Sequence, residues 1–346
     1  MVCMLKKRFY LYIFLSILVI ASIIYVKKEF LIRVSIEKRK MPLTIKLINH
    51  LGAATPASVI NDILKEKYDV KISDENFDMI FDSAYADIEG INRDYSAKEE
   101  RDPKIIYMFY TPEAILPNLD NYDLTIGFDH IDDQRYIRVP WYYMQSYNSK
   151  IRTDYDKVAD LGKCAPKKPY FACFLISNNS TGDNWRNHMP FDGCVAREAI
   201  FNKLSEYKKV LSGGKALNNI GKVIPGKETM SWLSQCKFVI AYENQTFDGY
   251  ITEKPFQAYF AGSIPIYYGA KSAVGDINKK AIIYAGDFNN DEELVDYIKK
   301  VDEDDDLYCD IWNQNIMTNP DGDFEVVKAK LRNKLYEVID TKLHKK

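Results

Sequence analysis

The chain has 346 residues and a mass of 40.1 kDa, with 47% hydrophobic and 28% charged residues. This globular composition excludes wholesale disorder and allows an anchor plus about two domains. The net charge of −2 is uneven: residues 1–41 hold nine basic side chains against Glu29 and Glu37, leaving 38 basic and 47 acidic residues in the remainder. A phosphate backbone would repel that acidic body, which argues against nucleic acid as a partner.

In chain order, a short tail (1–8) precedes Phe9–Val26, a run of 18 uncharged, mostly apolar residues. At 1.5 Å per residue it spans roughly 27 Å, close to the thickness of a bilayer core. The small residues Ala21 and Ser22 lie inside the run rather than after it, so the segment is expected to be an uncleaved transmembrane anchor. Residues 27–42 form a basic stem. Six basic residues follow the span closely and three precede it, which leans toward a cytoplasmic body on a single-pass membrane protein. The alternative is a type II anchor with the opposite orientation and a luminal body.

Beyond the stem, apolar strands alternate with helical patterns. Strands are expected at Leu43–Ile48, Asp69–Ile72, Phe77–Phe81, Ile105–Tyr110, Leu124–Phe128 and Tyr136–Val139, with a helix from near Pro56 to Lys67. Ser146–Pro169 is polar and lysine-rich without an apolar face, and marks a boundary. The pattern restarts with a strand at Tyr170–Ile176, a helix at Cys194–Tyr207, a strand at Lys209–Leu211 and a helix at Lys227–Cys236. Strand Phe238–Tyr242, helix Glu253–Ala261 and strands Ile264–Tyr267 and Ala281–Tyr284 follow. Helices Asp291–Val301 and Phe324–Lys342 close the chain. Two βα arrays imply two doubly wound α/β domains facing a cleft: 43–150, a linker at 151–169, and 170–346.

The six cysteines are too few for a dense disulfide framework, and no CxxC pair supports a zinc site. The four histidines, His50, His130, His188 and His344, form no HExxH motif. Gly221–Glu228 nearly matches a P-loop, but Glu228 replaces the Mg²⁺-holding hydroxyl and Pro225 interrupts the loop. Asp302–Asp306 contains a D-x-D, yet five successive acids are expected to form a solvated, self-repelling face. Sequons start at Asn178, Asn179 and Asn244, and a glycan on Asn244 would fill the expected cleft.

The most informative stretch is Lys237–Gly269. A strand ends at Glu243-Asn244, a polar loop follows, and Thr252 stands where a helix N-cap belongs, with Glu253, Lys254 and Pro255 in the first turn. A helix N-terminus after a strand, reinforced by Lys254, suits an anion, and Glu253 suits a pair of sugar hydroxyls. Together they fit a nucleotide diphosphate sugar. An ordinary capped helix with a surface Glu-Lys pair fits the spacing as well.

ENQTFDGYITEK, then AYFAGSIPIYYG and AGDF at Ala285–Phe288, resembles the donor motif of the α1,3/α1,4-fucosyltransferases (glycosyltransferase family 10), the bacterial branch most closely. The similarity includes FYTPE at Phe109–Glu113, DLTIGFD at Asp123–Asp129, RYIRVPWYY at Arg135–Tyr143, VAREAIFNKL around Arg197 and SGGKALNNIG at Ser212–Gly221. It covers roughly residues 104–290. The resemblance implies an inverting GT-B glycosyltransferase moving L-fucose from GDP-L-fucose to a hydroxyl, O3, of an N-acetylglucosamine-containing glycan, with no metal or cofactor. It implies Glu113 as general base, Arg197 and Lys254 on the diphosphate, Asn244 and Tyr250 as further donor contacts, and Glu253 on the ribose. Pro112 and Ala114 depart from the small or polar residues that usually flank the base, which bears on acceptor contacts. A transferase using another nucleotide sugar, or a non-catalytic glycan-binding protein on the same fold, are the alternatives.

Overall fold

The computed structural model describes residues 40–50, 58–85, 101–116, 118–148, 164–180, 182–183, 189–317 and 323–343. The expected anchor at 9–26, nearly all of the stem and most of the linker lie outside these residues. Among the described residues, no helix is long and apolar enough to cross a membrane. The chain divides into a small unit, residues 1–42 with 67–69, and a large unit, residues 43–66 with 70–346. In the described part of the small unit, Lys67 Nζ lies 5.5 Å from the centre of the Tyr68 ring. All candidate site residues belong to the large unit.

The first half contains β1 (Met41–His50), α1 (Ser58–Lys67), β2 (Tyr68–Ile72), β3 (Met79–Tyr85), β4 (Ile106–Tyr110), β5 (Leu124–Gly127), β6 (Tyr136–Arg138) and α2 (Trp141–Asn148). Its six strands run in the order β2-β1-β3-β4-β5-β6, and the pairs from β1 to β6 are parallel, with Ile45 opposite Met79 and Met108 opposite Leu124. Leu43, Ile45, Met79, Phe81, Met108 and Ile126 are buried along these strands.

The second half contains β7 (Tyr170–Phe174), α3 (Asp192–Tyr207), β8 (Val210–Ser212), α4 (Thr229–Leu233), β9 (Cys236–Tyr242), α5 (Lys254–Phe260), β10 (Ile264–Tyr268), β11 (Ile283–Tyr284), α6 (Asp291–Glu303), α7 (Asp305–Trp312) and α8 (Asp323–Leu343). Its parallel sheet has the order β11-β10-β9-β7-β8. All seven residues of the central strand β9 are buried. Covered on both faces, it reads from Phe238 to Tyr242 as the apolar run that doubly wound sheets require, with Lys237 at its start buried against Asp302. Helix α6 buries Leu294, Val295, Ile298 and Val301 along one stripe in the core under this sheet. Asn290 caps it by accepting from Glu293 N at 2.9 Å.

Several expectations are corrected. The helix expected at Lys227–Cys236 is a 3₁₀ turn (Gly226–Glu228) followed by the short α4, because Cys236 already starts β9. The strand expected at Ala281–Tyr284 shortens to two residues behind a 3₁₀ turn at Lys279–Ala281. Asp302 is no part of a solvated face: it is buried and pairs with Lys237 Nζ at 2.8 Å and with Lys208. Asp304 caps α7 by accepting from the amides of Asp306 and Leu307 at 3.1 and 3.0 Å. Both α2 and α7 are additions to the expected elements.

Disulfides join Cys164 to Cys309 and Cys173 to Cys236, and Cys194 is free and buried. Helix α8 returns to the first half, where Arg332 Nε meets Glu66 Oε2 at 2.7 Å and the Tyr336 hydroxyl donates to Ile63 O at 2.9 Å.

Candidate active site

The strand order of the second sheet reverses between β7 and β9. The carboxyl ends of strands at such a switch point leave a crevice, the usual place for a ligand in doubly wound sheets. Here that crevice is a cavity of about 300 Å³. The segment following β7 lines it with Ile176, Ser177 and Asn178, and the segment following β9 with Asn244, Tyr250 and Thr252. All six residues singled out from the sequence, Glu113, Arg197, Asn244, Tyr250, Glu253 and Lys254, line this one space. Pro112, Glu113 and Trp141 supply the wall from the first half.

Arg197 lies one turn into α3, whose start is pressed against the end of β9. The chain needs glycine at 193, because a Cβ there would collide with the Glu243 carbonyl oxygen. Cys194 N donates to Asn244 O at 3.1 Å across the same contact. The Arg197 guanidinium, buried at 3% exposure, donates to Asn179 Oδ1 at 3.1 Å, to the Asn178 carbonyl and to Cys194 Sγ at 3.0 Å. Burial pulls its pKa below the ordinary arginine value, while Cys194, Glu243 and Tyr250 oppose that pull. Two sequon asparagines are therefore structural neighbours of this cation: Asn179 also donates to Glu198 Oε2 at 2.6 Å, and Asn178 lines the cavity.

Lys254 opens α5. Its Nζ donates to Glu243 Oε2 at 2.7 Å and to Thr252 Oγ1 at 2.8 Å. Glu243 is fully buried and also accepts from Thr252 N at 2.8 Å and from the Thr252 hydroxyl. This corrects the N-cap expectation: Thr252 gives both amide and hydroxyl to Glu243, and the cap position falls on Glu253, which makes no capping bond. A helix of seven residues contributes little dipole, so the positive charge at this wall is the ammonium itself. Burial works against the charged lysine, but the Glu243 and Glu253 carboxylates outweigh it and hold its pKa above the ordinary value.

Glu113 sits just past β4, half-buried in a tight turn: its amide donates to Thr111 Oγ1 at 3.2 Å, and the Thr111 hydroxyl donates to the Glu113 carbonyl at 2.8 Å. Ala114 is buried in an apolar cluster with Phe128, Tyr250 and Phe247. Beside Glu113 the chain therefore packs a methyl group against the loop that follows β9. Asn244 Oδ1 is buried at the cavity wall without a hydrogen-bond partner among the described residues, an acceptor that a ligand donor would satisfy.

Two functional features were missed from sequence. Glu243 is the anchor of Lys254, and its position nine residues before Thr252 was the available signal. Trp141, within RYIRVPWYY, lines the cavity together with Glu113, and its neighbour Tyr142 stacks on Phe256 of α5 at 4.3 Å.

Residues 165–328 match the family model described as glycosyltransferase family 10 (fucosyltransferase) C-term. Residues 45–145 match the alpha-(1,3)-fucosyltransferase FucT N-terminal domain. This chain belongs to glycosyltransferase family 10, the fucosyltransferases. Among relatives of this family, Alpha-(1,3)-fucosyltransferase FucT of Helicobacter pylori is 31% identical over 82% of this chain and 62% of its own length. The mouse 4-galactosyl-N-acetylglucosaminide 3-alpha-L-fucosyltransferase 9 is 31% identical over 43% of this chain and 38% of its own. The chain thus spans less than two thirds of either relative. A crystal structure of an α1,3-fucosyltransferase with GDP-fucose superposes with a TM-score of 0.67 at 26% identity, covering 88% of this chain and 92% of that one.

Proposed function

We propose that this family 10 protein is an inverting fucosyltransferase of GT-B architecture that moves L-fucose from GDP-L-fucose to O3 of N-acetylglucosamine in a glycan acceptor such as N-acetyllactosamine. The observation that carries the reading is the meeting of a half-buried carboxylate, Glu113, with two cations, Arg197 and Lys254, across one cavity at the switch point of the second sheet.

Each chemical demand of the transfer has a group suited to it. Breaking the bond between fucose and the diphosphate builds negative charge on the β-phosphate. Arg197 and Lys254, each fixed by its own partners, stabilise that charge without reorganising. Glu113 takes the proton of the acceptor hydroxyl as that oxygen attacks the anomeric carbon from the face opposite the departing GDP. A single displacement turns the β-linked donor into an α-linked product. Glu253 accepts from the ribose hydroxyls, and Asn244 Oδ1 accepts from the donor. Trp141 offers an apolar face to the acceptor sugar beside the base. No metal or cofactor has a role, because the two side-chain cations supply the charge.

Support from relatives is the GDP-fucose complex of the superposable α1,3-fucosyltransferase and the acceptor named for the mouse relative. The full assignment includes a single-pass anchor at residues 9–26 and a cytoplasmic body, supported by the 18-residue apolar run and the six basic residues after it. A donor panel tests the catalytic reading: purified protein with N-acetyllactosamine should use GDP-fucose, and transfer only from GDP-mannose or UDP-sugars would overturn it.

A further inference from the structure

Arg138, the last residue of β6, faces four acceptors in three separate parts of the chain. Its Nε donates to the Phe128 carbonyl at 2.6 Å, at the end of β5 in the first half. Its Nη2 donates to the Gly249 carbonyl at 3.0 Å, in the loop between β9 and α5. Nη1 and Nη2 together grip Asp276, 3.0 and 2.7 Å from its two carboxylate oxygens, in the 3₁₀ turn Ala273–Asp276 beyond β10. Only the planar fork of arginine reaches all of these at once.

The contact it secures leaves no slack. Gly249 has φ +67°, and a Cβ there would lie 2.7 Å from the Phe128 carbonyl oxygen, so the tip of the donor loop rests directly on the end of β5. Gly249 N is held in turn by Ser272 Oγ at 2.9 Å. The next residue is Tyr250, which lines the cavity and meets the Phe128 ring edge-on at 5.1 Å. Ala114, adjacent to Glu113, belongs to the same buried cluster. The wall holding the base and the loop holding the donor therefore touch at one spot, and Arg138 fastens that spot from behind.

We propose that Arg138, with Asp276, is a positioning residue that sets the alignment of Glu113 with the donor loop. The proposal rests on the fucosyl-transfer reading given above. Arg197 and Lys254 take their own anchors from Asn178, Asn179, Glu243 and Thr252, none of which Arg138 touches. Loss of Arg138 therefore leaves the grip on the diphosphate in place and loosens the geometry of attack, where displacements near 1 Å cost on the order of 10²-fold in rate.

The test compares the unaltered full chain with Arg138→Ala, Arg138→Lys and Asp276→Asn, measuring kcat and KM for fucosyl transfer, GDP affinity by calorimetry and thermal unfolding. Arg138→Ala should lower kcat by about 10²-fold while GDP affinity stays within about threefold. Arg138→Lys should fall between Ala and the unaltered chain, since one ammonium can meet Asp276 but not both carbonyls as well. Asp276→Asn should lower kcat least and keep the protein folded should Arg138→Ala unfold it. Unchanged kcat in Arg138→Lys and Asp276→Asn, or GDP affinity falling in step with kcat, would overturn the role of Arg138 alone. Absence of fucosyl transfer by the unaltered chain would overturn the fucosyl-transfer reading and this proposal with it.

Discussion

Lys254 and Glu243 form an ion pair at 2.7 Å in which the glutamate side chain is fully buried and the lysine side chain, at the cavity wall, is a quarter exposed. The pair fixes both where the lysine points and what Glu243 can do. A carboxylate that already accepts from Lys254 and from the amide and hydroxyl of Thr252 is committed to holding a cation. In the proposed transfer this leaves Glu113, which lines the same cavity from the first half, for the general-base role.

Breaking this pair should separate folding from catalysis. Glu243→Gln should destabilise the protein by about 3 kcal/mol, the low end for a buried pair, because Lys254 keeps some solvent. The double variant Glu243→Gln/Lys254→Met leaves no unpaired charge, so its urea midpoint should recover most of the loss while kcat stays at least roughly 10²-fold down. Recovery of turnover together with stability would show that the ammonium has only a structural role.

Glu113→Gln keeps shape and removes basicity. Its kcat should fall by on the order of 10²–10⁴-fold, with GDP affinity unchanged, since Glu113 comes from the first half of the chain and both cations from the second. Near-normal turnover in this variant would move the base elsewhere, with Asp129 the next candidate.

The sequence showed the alternation of strands and helices through local signals, and the residues that line the cavity through the resemblance to family 10. β9 reads as an apolar run because it is buried on both faces, and the residues between Glu243 and Lys254 are contiguous. Pairings over long separations were not readable. Asp302 looked solvated because its partners Lys237 and Lys208 lie 65 and 94 residues away, and Arg138 meets Asp276 across 138 residues. Helix α2 was missed because Trp141, Tyr142, Tyr143 and Met144 are consecutive and show no helical stripe. Thr252 was read as a cap because the local pattern omits the buried Glu243 that competes for its hydroxyl.

Asp302 also predicts an acid-sensitive contribution to stability. Burial pushes its pKa up, but Lys208 and Lys237 more than offset this, so the folded pKa lies below the ordinary carboxylate value. A depressed carboxylate stabilises fully above its unfolded pKa and loses that stabilisation as pH falls through the folded one. Tm scans should show Asp302→Asn well below the unaltered chain at pH 6, with the gap closing below about pH 4. A gap that stays constant down to pH 3 would mean that charge pairing at Asp302 contributes nothing.

Turnover should persist in excess EDTA. Arg197 and Lys254 supply two fixed positive charges where the diphosphate would leave, the task that a divalent ion performs in metal-dependent transferases. Loss of activity in EDTA with recovery on adding Mn²⁺ would contradict this and return attention to acidic residues outside the cavity.

If Glu113, Arg197 and Lys254 act together in one inverting transfer of fucose, the product reports on it directly. Purified full chain, GDP-fucose and N-acetyllactosamine should give a single trisaccharide whose proton NMR spectrum shows an α-linked fucose on O3 of the N-acetylglucosamine, absent when Glu113→Gln replaces the unaltered chain at equal time. A β-linked product, or equal product from Glu113→Gln, would contradict the account.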